Sequence, residues 1–77
     1  MKVVTITKEP VELYKILKFE GLSSSGAEAK IAVAGGRVQV NGLVELRKRK
    51  KIIAGDTIEF ENEKFQIQFL QADNLSL

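Results

Sequence analysis

The residues able to do chemistry here are cations and hydroxyls. Arg47-Lys48-Arg49-Lys50-Lys51 is an unbroken run of five positive charges. Upstream, Ser23-Ser24-Ser25-Gly26 opens a helical pattern, with Lys30 one turn later and Arg37 just past its end. A helix start offers free N–H groups and a partial positive charge, and serine hydroxyls add donors. Gly26 lets an anion approach the backbone closely. Arginine grips phosphate bidentately, as Arg37 can, and each phosphate neutralised by the basic run releases counterions. The chain holds no cysteine and no histidine, which excludes disulfides, Cys/His metal sites and histidine-activated nucleophiles. No catalytic residue, metal ligand or cofactor is expected. The chemistry on offer is the binding of a polyanion.

The charge is unevenly spread. Net charge is only +2, yet without residues 47–51 the rest of the chain balances at −3. Residues 1–51 carry eleven cations against five acids; from residue 52 onward Lys64 is the one cation against Asp56, Glu59, Glu61, Glu63 and Asp73. A block of like charge stays on the surface unless a partner neutralises it. Glu59, Glu61 and Glu63 alternate along a strand that ends in a turn, a solvated arrangement without the desolvated pocket a general base requires. Phe60, Phe65 and Phe69 fall on apolar strand faces and read as core, so no stacking platform for bases is expected. That favours folded RNA, met through its backbone and shape, over sequence-read single strands.

The elements that must position these residues follow from periodicity. The β-branched run 2–7 predicts a short strand. Pro10 suits the first position of a helix, and Leu13, Ile16 and Leu17 recur at helical spacing, with Tyr14 and Phe19 beside the stripe. Gly21 is the stop, which predicts helix one over 11–20. Ser25 with Glu28 makes a capping-box pattern, Ala29, Ala32 and Val33 form a slim apolar face, and Gly35-Gly36 ends helix two, over 26–34. Val38 and Val40 alternate with polar residues, and Asn41-Gly42 signals a hairpin. A two-residue turn would pair Val40 with Leu43; a three-residue or bulged turn would pair Val40 with Val44 and Val38 with Leu46, giving one apolar face. The second register is expected on that ground. If extended, Arg47, Arg49 and Lys51 would point one way and Lys48 and Lys50 the other. A turn at 54–56 leads to Thr57-Ile58-Glu59-Phe60, and a turn at 61–63 to a last strand in which Phe65, Ile67 and Phe69 share a face. Arg37 is expected to have Glu45 as its alternative partner across the hairpin, and residues 71–77 to fray. The N-terminal ten residues hold no run long enough for a signal peptide, and nothing approaches a membrane span.

The stretch from Glu20 to Phe60 resembles the S-four RNA-binding domain, named for small-subunit ribosomal protein four. The resemblance rests on Gly36-Arg37-Val38-Gln39-Val40-Asn41-Gly42 and Gly55-Asp56-Thr57-Ile58, and on Ser25–Lys30 and Lys18–Leu22, which are similar to the small stand-alone bacterial members. It spans roughly residues 11–60. It implies an α+β fold, two helices packed on a small, mostly antiparallel sheet (the αL motif) with the N-terminal strand added, as one domain over 1–77. It also implies a non-catalytic module that binds structured RNA, ribosomal or transfer, in association with the ribosome; a cytoplasmic monomer is expected, the lack of cysteine fitting the cytosol. Where many members carry arginine after the helix-two serine, this chain has Gly26; where they carry it at the start of helix one, it has Val11 and Glu12. The expected RNA contacts are therefore Ser24, Ser25, Gly26, Lys30, Arg37 and residues 47–51. A protein–protein adaptor using the basic loop or the acidic C-terminal third is the alternative, and electrostatics alone leave DNA open as the polyanion.

Overall fold

The computed structural model describes residues 1–70; the expectation that 71–77 fray lies outside the described residues. Seven strands and two helices follow in the order β1 (Lys2–Ile6), β2 (Val11–Glu12), α1 (Leu13–Phe19), α2 (Gly26–Ala34), β3 (Val38–Val40), β4 (Leu43–Val44), β5 (Lys51–Ile52), β6 (Thr57–Phe60) and β7 (Glu63–Phe69). Five strands form one sheet in the order β1-β7-β6-β3-β4. Every pair in it is antiparallel except β1 with β7, which run parallel. This is the α+β architecture with an added N-terminal strand that the sequence predicts.

Alternation decides what each strand buries. Val4, Ile6, Val38, Val40, Ile58, Phe60, Phe65 and Ile67 turn to one face of the sheet and are buried. The helices cover that face with Leu13, Ile16 and Leu17 from α1 and Ala29, Ala32 and Val33 from α2. The alanines let α2 lie close to its neighbours, because a larger side chain would hold the backbones apart. Ile58 stands opposite Phe65, so two bulky side chains meet across the sheet. Phe69, expected in the core, is 37% exposed at the end of β7.

Both helices end as the glycines predict. Gly21 (φ +73°) and Gly36 (φ +78°) take the left-handed conformation just past each helix. The N–H groups of Gly21 and Leu22 then return to the carbonyls of Lys18 and Leu17, and those of Gly36 and Arg37 to Val33 and Ala32. That double bond pattern closes the last turn and fixes the exit direction of the chain.

Two expectations are corrected. Helix one begins at Leu13, not at Val11, and Pro10 is not its first residue. Val11 and Glu12 instead pair with Ile52 and Lys51 in a two-stranded ladder, so long-range backbone pairing overrides a local start signal. The hairpin takes the two-residue register: Val40 faces Leu43 and Gln39 faces Val44. Asn41 (φ +54°) and Gly42 (φ +84°) are both left-handed, as a two-residue type I′ turn requires. The register argument assumed that β4 needs a buried face. It does not, because β4 is the outer edge strand: Leu43, Val44 and Leu46 are 74%, 55% and 60% exposed.

Candidate nucleic-acid interface

Helix α1 starts without a side-chain cap; Glu12 makes no such bond. Its free N–H groups are met by the backbone of the basic run instead. Leu13 N–H donates to the Lys50 carbonyl at 2.9 Å and Tyr14 N–H to the Lys48 carbonyl at 3.1 Å. Lys50 N–H closes a turn onto the Arg47 carbonyl at 3.1 Å. The basic run is thus a turn docked on the head of α1, continued by the β2–β5 ladder, and the alternating display expected of an extended segment does not occur. Carbonyls pointing inward leave the cationic side chains outward: Arg47, Lys48, Arg49 and Lys51 are exposed.

Tyr14, the chain's one tyrosine, gathers the cations. The Lys30 ammonium lies 4.7 Å from the centre of its ring, the Arg49 guanidinium carbon 5.3 Å and the Lys15 ammonium 6.0 Å. A cation over an aromatic face is held by the ring quadrupole. Glu12 adds a second hold, taking Arg49 at 3.3 Å and Lys15 at 3.5 Å. Gly26 abuts the same tyrosine: a β-carbon there would sit 3.7 Å from Tyr14 Cε2 and 4.0 Å from Lys18 Cδ. One half-buried ring therefore joins the start of α2, the face of α1 and the basic turn.

The serines divide. Ser25 caps α2, its Oγ accepting from Glu28 N–H at 3.2 Å; the returning bond from the Glu28 side chain is not made among the described residues. Ser24 is exposed beside it. Within the basic run the cations differ in freedom. Arg47 is clasped by Glu45 at 2.8 and 3.2 Å in a fork, which, with the Arg47 backbone N–H, holds the Glu45 carboxyl down at about 2 and raises the guanidinium above its ordinary range. Lys48, Lys50 and Lys51 make no ion pair among the described residues.

Arg37 stands apart from this cluster. It pairs with Glu61, not with Glu45, and its guanidinium lies 5.3 Å from the Phe60 ring. It lines a groove with Ser23, Glu28 and Ile31, whereas Gly26 and Lys30 of the same helix turn toward Tyr14. The structure therefore brings together Gly26, Lys30 and residues 47–51 and leaves Arg37 on the other flank of α2. Tyr14, Lys15 and Lys18 are the members that sequence reasoning missed. Tyr14 sits immediately beside the buried Leu13, and a lone polar aromatic flanking an apolar stripe was the available signal. Among the described residues no group of three or more acids is placed to hold a metal ion.

The two sequence motifs of the hairpin region form one joint. Asn41 N–H donates to the Thr57 carbonyl at 2.8 Å, Thr57 N–H donates back to Asn41 Oδ1 at 2.9 Å, and Asn41 Nδ2 reaches Asp56 Oδ1 at 3.0 Å. Asp56 also accepts from Ile53 N–H at 3.0 Å. The Asn-Gly and Gly-Asp turns thus fix each other and set where the segment between them emerges.

Comparison with known proteins agrees with this geometry. Residues 4–68 match the S4 domain family. The chain is 52% identical over 68 residues to the putative RNA-binding protein YbcJ of Escherichia coli, covering 87% of this chain and 97% of that one. It matches the uncharacterized protein YbcJ of Shigella flexneri to the same extent. The solution structure of E. coli YbcJ, described as revealing an αL motif involved in RNA-binding, superposes with a TM-score of 0.67 at 51% identity, covering 87% of this chain and 86% of that one. With its two helices on a mostly antiparallel sheet, its joined Asn-Gly and Gly-Asp turns and this match along most of its length, the chain belongs to the S4 domain family.

Proposed function

We propose that this protein is a non-catalytic module that binds structured RNA through the phosphate backbone, using the face centred on Tyr14. The observation that carries the reading is the convergence of Lys15, Lys30 and Arg49 on one ring, beside Lys48 and Lys51, which make no ion pair among the described residues. Lys18, Lys50, Gly26 and the exposed Ser24 lie in or beside the same surface, and Arg47 joins it at reduced effective charge. Arg37, paired with Glu61, belongs to a second, smaller contact on the far flank. The partner class is folded RNA, ribosomal or transfer, because the face is dominated by cations and carries no row of exposed aromatics among the described residues, and such a surface reads mainly shape and backbone. The setting we propose is a cytoplasmic monomer associated with the ribosome; the relative named a putative RNA-binding protein supports RNA itself as the partner.

The test is to replace Lys48 and Lys51 with glutamate. Both side chains are exposed, so the fold should survive. Affinity for a folded RNA is expected to fall, and the slope of log K against log salt to shrink by about one for each lysine in contact with phosphate. Unchanged affinity and slope would sink the reading. A protein adaptor is the competing reading. It draws on Leu43 and Val44 of edge strand β4 and on Leu46 just past it, all exposed next to the basic turn. Crosslinking in cells separates the two: RNA recovered with the protein supports the first, a protein partner without RNA the second.

A further inference from the structure

A cleft of about 660 Å³ opens between β1 and α1, within the size range of small-molecule sites. Its floor is apolar, with Val4, Ile6, Val11 and Ile16. Phe19, on the last turn of α1, stands at its side and is 68% exposed, an aromatic the core does not use. Phe19 follows Lys15 by four residues, so the two share one face of the helix. The rim carries Lys8, Lys15 and Lys51. Lys15 also belongs to the Tyr14 cluster and Lys51 to the basic run, so the cleft opens directly beside the proposed RNA face.

We infer that this cleft takes one unpaired nucleotide of the bound RNA, a base turned out of a bulge or loop. The inference rests on the RNA-binding reading and gives it a substrate feature. Three chemical demands are met. A base needs a flat apolar partner, and Phe19 with the aliphatic floor supplies it. The flanking phosphates need cations, and the three rim lysines supply them. Of the two acids lining the cleft, Glu12 is already held by Lys15 and Arg49. The base edge needs polar groups within an otherwise apolar site. Residues 4–7 all line the cleft in succession; since a strand face would present only every second residue, β1 offers its backbone edge here. As the outermost strand of its sheet among the described residues, β1 has one such edge without a strand partner there. Thr5, Thr7 and Glu20 add side-chain groups.

Two hairpin RNAs test this with the full chain, one carrying a single bulged 2-aminopurine and one fully paired. The bulged RNA is expected to bind about tenfold tighter, in line with one aromatic–base stack, and its 2-aminopurine fluorescence to be quenched on binding. Phe19→Ala removes a mostly exposed side chain that lies outside the core. It should abolish the preference and the quenching while leaving affinity for the paired RNA within about twofold, and Phe19→Trp should keep both. Equal binding of the two RNAs by the unmodified protein, or equal weakening of both by Phe19→Ala, would overturn the inference and leave RNA binding intact. If neither RNA binds at low salt, both readings fall. Displacement of the bulged RNA by submillimolar adenosine monophosphate would assign the cleft to free nucleotides and overturn it as well.

Discussion

Tyr14 and Lys48 are joined by a backbone hydrogen bond of 3.1 Å, the helix-one amide donating to the carbonyl of the basic turn. The bond makes the head of α1 and the cationic run one unit. The same tyrosine then collects Lys30 and Arg49 on its ring. Helix α1 thus shapes a charged surface whose strongest sequence signal lies more than thirty residues away.

Tyr14→Ala is expected to weaken RNA binding by about fivefold, because each cation–ring contact is worth about 1 kcal/mol and its loss lets Lys30 and Arg49 disperse. Tyr14→Phe keeps the ring and should bind like the parent. Fluorescence anisotropy with a labelled folded RNA reads the difference, and equal losses in both variants would transfer the role to the hydroxyl.

Gly26→Arg should strengthen binding. The site admits a β-carbon at an ordinary 3.7 Å from Tyr14 Cε2, and the glycine has no left-handed φ. Replacing a helical glycine also favours the helix by up to about 1 kcal/mol. The expected result is higher affinity, a salt slope steeper by about one, and a melting temperature no lower than the parent's. A drop in affinity would show that RNA approaches the bare backbone at Gly26.

The Glu45 carboxyl, held at about 2 by the hydrogen bonds from Arg47, predicts a pH dependence. A depressed carboxylate contributes stability that is fully present above its ordinary value of 4.5 and is lost as pH falls through about 2. In a carbon-detected NMR titration the Glu45 carboxyl should change near pH 2, well below its ordinary value of 4.5. Arg47→Ala removes the guanidinium but keeps the backbone N–H donor of residue 47, so it should raise the Glu45 carboxyl part of the way toward 4.5 and remove the guanidinium's share of the slope between those two pH values. A Glu45 midpoint near 4.5 in the parent protein would refute this.

Asn41→Ala should lower stability by about 1–2 kcal/mol, since it removes the side-chain bonds to Thr57 N–H and Asp56 and places alanine at φ +54°. For a domain of this size that is a fall of several degrees in melting temperature. Asn41→Gly keeps the left-handed backbone and loses only the hydrogen bonds, so its loss should be smaller. Thermal melting followed by circular dichroism compares the three proteins.

Much was legible from local chemistry alone. Glycines at 21 and 36 stop the helices because only they take φ near +75° cheaply. Ser25 caps α2 because its hydroxyl reaches Glu28 N–H. The alternation of Val38 with Val40 and of Phe65 with Ile67 named the buried face. These signals act over a few residues, within reach of sequence. The start of α1, the hairpin register and the shape of residues 47–51 were decided elsewhere. Val11 and Glu12 were drawn into a ladder with residues some forty positions away, β4 became an edge strand that needs no buried face, and the basic run folded back to supply carbonyls to Leu13 and Tyr14. Which cations share a surface is likewise a matter of packing: Arg37 turns to Glu61 on one flank of α2, while Lys30 turns to Tyr14 on the other. Spacing along the chain cannot state this, because the choice is made by backbone groups and charges that meet only once the helices have closed over the sheet.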